Sequence, residues 1–164
     1  MTTISELLKE EARLRLDEGR QRIHACLGKL NEEQIWRRAN KNTVSLGNLV
    51  LHLCGNVRQW ITTTLAGEAD IRQRDLEFNE TAPIANEELL SRLDAVVDRA
   101  LEVIASLDEE QLLRSYHVQA YTPSGVGIVV HVTEHFSYHV GQITLHTKLM
   151  LDIDTGYYNG VVLG

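Results

Sequence analysis

Proline is almost absent. The 164 residues contain only Pro83 and Pro123, so long stretches carry nothing that would break a helix. Cysteine is equally scarce. Cys26 and Cys54 form no spaced pattern, which argues against a disulfide framework and fits a reducing compartment. No run approaches the ~20 apolar residues of a membrane span. The charged start, MTTISELLKEEARLRL, has no apolar centre of the signal-peptide kind. A cytoplasmic protein is the expectation. Basic clusters are missing too. A net charge of −7 without grouped Lys and Arg argues against nucleic acid or membrane as partners, since both attract clustered cations. A hydrophobic share of 43% and a charged share of 24% are ordinary for a globular protein, and the length fits one domain over 1–164.

What is present is helical pattern. Residues 3–28 read as a first helix, with Ile4, Leu7, Leu8, Leu14 and Ile23 on one face and charges elsewhere. Asn31 and Gln34 make a capping box for a short helical turn, onto whose bundle side Trp36 can pack. Ser45 caps a second helix over 45–65. Asn86 opens a third over 86–106, where Leu89, Leu93, Val97, Ala100 and Ile104 keep a 3.6-residue period. A fourth runs from about 125 to 151. LNEEQIWRR (30–38) and LDEEQLLRS (107–115) are alike and each precedes a His-bearing helix, which suggests two related helical hairpins. Residues 66–84 carry no clean period. They read as a surface crossover, with a lid built from Arg72, Arg74, Asp75, Glu77 and Phe78 as the alternative. The tail after 151 reads as folding along the bundle or into a subunit contact, and its apolar Val161, Val162 and Leu163 hint at the latter. The fold class is all-α, a four-helix bundle with a long connection between its second and third helices.

The chemistry lies in the histidines. Four of seven, His131, His135, His139 and His146, fall in one stripe roughly 80° wide on the fourth helix. Imidazoles at i, i+4 can close on one metal, whereas those at i, i+8 stand about 12 Å apart along the axis and cannot. One ion would therefore use His131 with His135, or His135 with His139. The second helix carries a polar ridge, Asn48, His52, Asn56 and Gln59, beside an apolar ridge, Leu49, Leu53, Val57 and Trp60. The fourth helix repeats this order, so two polar ridges can face each other. His24 and His117 read as ordinary polar residues. Cys54 points about 200° away from His52 round the helix and should not share its metal.

LGNLVLHLCGNVRQWI (46–61), followed far downstream by EHFSYHVGQI (134–143), resembles the DinB/YfiT-like family. The resemblance implies a four-helix bundle with a divalent metal held by three histidines, one on the second helix and an H-x3-H pair before Gly-Gln on the fourth. By position these are His52, His135 and His139, followed by Gly141 and Gln142. It leaves His131 and His146 as additions to the triad. It further implies a homodimer and metal-dependent transfer of a low-molecular-weight thiol to a small electrophile.

Three imidazoles with open positions describe a catalytic rather than a closed site. Such ligands suit zinc, nickel or iron alike. No catalytic residue beyond the ligands stands out. Glu134 points about 100° from His135. Gln142, Asn48, Asn56 and Tyr138 read first as ordinary polar residues of the bundle, with orientation of a ligand or substrate as the alternative. Two functions follow: a metal-dependent S-transferase or hydrolase, or a non-catalytic metal- or ligand-binding stress-response module.

Overall fold

In a computed structural model the chain is described for residues 2–81 and 83–162. Helix α1 (Ile4–Leu27) begins at Thr3, whose side chain and that of Glu6 form a reciprocal capping box. The same device opens α2 (Glu32–Trp36) with Asn31 and Gln34, and α7 (Glu109–Leu113) with Asp108 and Gln111. The two similar nine-residue stretches thus fold alike. Helix α3 (Leu46–Val57) starts at Ser45, again in a capping box, with Asn48.

The second helix expected over 45–65 is one continuous rod, but it is not α-helical throughout. Arg58–Thr63 widen into a π-helical segment before α4 (Thr64–Ala66) resumes the α pattern. The run Ile61-Thr62-Thr63-Thr64 helps explain this. Thr62 Oγ1 donates to the Arg58 carbonyl at 2.9 Å, and Thr64 Oγ1 donates to the Gln59 carbonyl at 2.7 Å, so side chains serve backbone groups that the wider turn leaves poorly matched.

The 66–84 connection is not structureless. It contains a short helix, α5 (Arg74–Asn79), that packs on α3. Helix α6 (Asn86–Ser106) follows. Asn86 does not cap it as expected; Ala85 holds the cap position without a side-chain bond, and Asn86 Nδ2 instead donates to the Leu27 carbonyl at 3.1 Å. Residues 115–124 form a narrow hairpin with antiparallel bridges Ser115–Ser124 and Val118–Tyr121. Ser124 then caps α8 (Gly125–Leu151).

The four long helices pack in a ring: α1 on α8, α8 on α3, α3 on α6, and α6 on α1. This is a four-helix bundle. Its centre is filled by Leu16, Ile23 and Leu27 from α1, Leu53 from α3, Leu89, Leu93, Val97 and Ile104 from α6, and Ile128, Phe136 and Ile143 from α8, all essentially buried. The tail folds back on α1 and α8 through Tyr157, whose hydroxyl lies 3.0 Å from Cys26 Sγ and 2.9 Å from Thr144 Oγ1. Val161 and Val162 are exposed, and Leu163 lies outside the described residues. No described helix is long and apolar enough to cross a membrane.

The α1–α8 contact is tight at Gly19. A Cβ there would sit 2.8 Å from the Phe136 ring and 3.2 Å from Val140. Since Phe136 and Val140 flank the expected ligand turn of α8, this contact also sets the height of the site in the bundle. Replacing Gly19 by Val should overpack the interface and lower stability by about 1–3 kcal/mol, read as a shift of the urea unfolding midpoint at unchanged slope.

Candidate metal centre

Three imidazoles meet at the α3–α8 interface. His52 projects from α3, and His135 and His139 project from successive turns of α8. One ring nitrogen from each lies within 4.8 Å of the other two. His52 Nε2 and His135 Nε2 are 3.2 Å apart, whereas neighbouring ligands in a tetrahedral centre with metal–nitrogen bonds of ~2.1 Å lie ~3.4 Å apart. The donor type and spacing fit a divalent ion.

Two of the rings are steered from behind. His139 Nδ1–H donates to Gln142 Oε1 at 2.6 Å, one helical turn on, which leaves Nε2 with its lone pair toward the centre. His52 Nδ1 lies 2.9 Å from Glu77 Oε2, both side chains being 8% exposed. Arg72 Nη2 also approaches that nitrogen, at 3.4 Å, but it donates to Glu77 Oε2 at the shorter 2.8 Å. The carboxylate therefore takes the His52 proton, and Nε2 again carries the lone pair. His135 has no such support: its Nδ1 is buried without a partner.

Glu77 is the part of the site that sequence reasoning placed elsewhere. The 66–84 segment, read as a surface crossover, is folded down so that Glu77 is 7% exposed. Arg72 clamps it with Nε to Oε1 at 2.7 Å and Nη2 to Oε2 at 2.8 Å, and Arg72 Nη1 also donates to Gln59 Oε1 at 2.9 Å. Burial alone would raise the Glu77 pKa; hydrogen bonds from Arg72 and His52 outweigh it and hold the carboxyl below its ordinary value. Asn48, considered as a group that orients His52, serves the same segment instead. Its Nδ2 donates to the carbonyls of Glu77 and Glu80, both at 3.0 Å. The close approach also needs Gly55, because a Cβ there would lie 1.9 Å from Glu77 Oε1. The one early signal for Glu77 was its place among charged residues with Phe78 in an otherwise patternless connection.

The remaining histidines separate cleanly. His131 stacks on Trp60, with ring centroids 3.9 Å apart, and forms a wall of the cavity that opens beside the triad. His146 lines a different cleft, with Leu46 and Met150. His24 Nε2 is 2.8 Å from Asp94, and His117 is exposed. Glu134 faces the α1–α8 groove and Tyr138 is 60% exposed, beside His139. Cys54 lines a cleft behind the site with Arg92 and Leu76, and burial pushes its thiol up to about 12. Burial lowers His139 despite the Gln142 bond, and it drives His135 down to about 3 with added repulsion from His139 and His52. Both are neutral at pH 7, the form that ligates metal.

Helical bundle and histidine cluster together describe a DinB-like fold with a candidate three-histidine metal site. The fold is shared with a conserved protein from Enterococcus faecalis, at TM-score 0.75 and 15% identity over 93% of this chain and 100% of the other. It is shared too with a DinB-like protein, YjoA, from Bacillus subtilis, at TM-score 0.65 and 15% identity over 85% and 91%. No curated protein matches the sequence. Residues 3–156 match a family described as a protein of unknown function, DUF1572, and the chain belongs to that family.

Glu77→Gln should keep a hydrogen-bond acceptor for His52 but remove the charge, weakening metal binding about 10–100-fold in a competition assay with a chromogenic chelator. The pH dependence of the metal-free protein follows from the lowered pKa values of His135, His139 and Glu77. Below pH 6.5 the unfolded chain takes up a proton that His135 resists until about 3, so stability falls as the pH drops across that window. Glu77 contributes stability above its ordinary carboxylate pKa, and this is lost as pH falls through its lower folded value. Thermal melts from pH 7 to 4 should show a steady decline that His135→Gln makes shallower.

Proposed function

We propose that this protein is a metal-dependent enzyme that transfers a low-molecular-weight thiol to a small electrophile. The observation that carries the reading is the convergence of three neutral-type donors, His52, His135 and His139, of which His52 and His135 line a cavity of about 490 Å³, a size suited to small molecules. A divalent ion held there, zinc, nickel or iron, would lower the pKa of a thiol beside it and make thiolate available at neutral pH.

The chain's own residues do the rest. Glu77 and Gln142 fix the tautomers of His52 and His139, so neither ring must turn to present its lone pair. Trp60 and His131 form a stacked wall of the cavity. In the transfer itself, the sulfur forms a bond to the electrophilic carbon. The leaving group departs with its electron pair, and the thiol proton passes to solvent. Hydrolysis on the same site is the neighbouring possibility, with water in place of thiol. The free thiols Cys26 and Cys54 support a reducing, cytoplasmic setting, and the exposed Val161 and Val162 support a homodimer.

Protein purified without a polyhistidine tag or added metal should contain close to one divalent ion per chain by elemental analysis. His52→Ala should lose both the ion and thiol transfer to a chromogenic electrophile. Full metal content without turnover across a thiol and hydrolysis panel would point to the non-catalytic binding module. Absence of metal even after supplementation would reject both.

A further inference from the structure

The cavity beside the triad is built from unusual backbone. The π-helical Arg58–Thr63 presents Trp60 to it, and the 115–124 hairpin brings Gln119 over its rim with φ at 54°, the left-handed region. Non-glycine residues held in such conformations cluster at ligand sites. Two residues in the wall each bury a polar atom without a partner: Oδ1 of Asn56 and Nε1 of Trp60, both residues 4% exposed. Buried polar groups are normally paired, so this wall is incomplete as a piece of core.

Its charge is equally distinctive. In a chain of net charge −7, none of the described residues lining the cavity is acidic, and two are arginines. Arg72 is neutralised by Glu77. Arg74 is not: it forms no ion pair among the described residues, and its guanidinium lies 4.9 Å above the Phe78 ring. Phe78 also meets His52, with ring centroids 4.8 Å apart. One ring therefore touches both a cation without an ion pair among the described residues and a candidate metal ligand.

We infer that Arg74 is an anion anchor, and that the small molecule reaching the metal carries a carboxylate. Arg74 takes the carboxylate through its fork of N–H donors, and the uncharged remainder lies along the wall of Trp60, His131 and Tyr121. The inference rests on the proposed reading in that its ligand approaches the same metal.

The test uses cobalt(II)-loaded protein and two matched pairs of probes. In the first, 4-mercaptobutyrate and 4-mercaptobutyramide are titrated through the thiolate-to-cobalt charge-transfer band. In the second, phenylacetate and phenylacetamide, which have no thiol, are followed by paramagnetic broadening of their proton signals. The carboxylate member of each pair should bind about tenfold tighter, as expected for a charge-assisted pair. Arg74→Met should reduce the preference to less than threefold, and Arg74→Lys should restore part of it. Metal content and melting temperature should be unchanged, since Arg74 is exposed. Equal binding within both pairs would overturn the inference, as would a preference that survives Arg74→Met, because the carboxylate would then be bound by the metal itself. If neither thiol gives the band while phenylacetate keeps its Arg74-dependent advantage, thiol activation fails and the anion anchor stands.

Discussion

The buried carboxylate of Glu77 is the constraint on which the site depends. It accepts from Arg72 and from His52 at once. Removing one partner from such a group would leave an uncompensated charge away from water. The pair thus fastens the connection between α4 and α6 to the face of α3 that carries His52, and it fixes the His52 tautomer in the same contact. A loop so held is part of the site's frame. Asn48 reinforces it by taking two carbonyls of the same segment while serving the N-terminal capping box of its own helix.

The three candidate ligands differ in how they are supported, and the difference follows from chain topology. His139 is steered by Gln142 on its own helix, a contact that costs little to organise because both residues share one rigid rod. His52 is steered by a residue 25 positions away that must be folded into place. His135 is steered by neither. It lies between His131 and His139 on α8, and its Nδ1 faces protein without a partner. Helix geometry supplies some outer contacts at no extra length of chain. Others require a dedicated segment.

This contrast also explains how much could be read from the residues alone. Helical periodicity is a short-range signal, so the bundle, the capping box at Asn31, the cap at Ser45, and the common face of His135 and His139 were visible in spacing. The choice of His52 with that pair came from family resemblance. Glu77 left no periodic trace, because its role depends on tertiary folding of α5 against Gly55. The π-helical segment was equally silent. Its residues alternate like those of any buried helix, and only the cluster of threonines at 62–64 marks where side chains compete for backbone groups.

That widened segment has a bearing on how the fold can vary. Its flanks, Leu46–Val57 and Thr64–Ala66, both keep α geometry. The helix therefore absorbs surplus length locally. His52 stays in register with α8 above, and Leu65 stays buried below. A rod with such a bulge can lengthen or shorten by a residue and re-aim Trp60 in the cavity wall, while the core layers at either end need not move. The bulge acts as an adjustable joint, through which relatives of this fold could reshape the space beside a fixed histidine cluster without rebuilding the bundle.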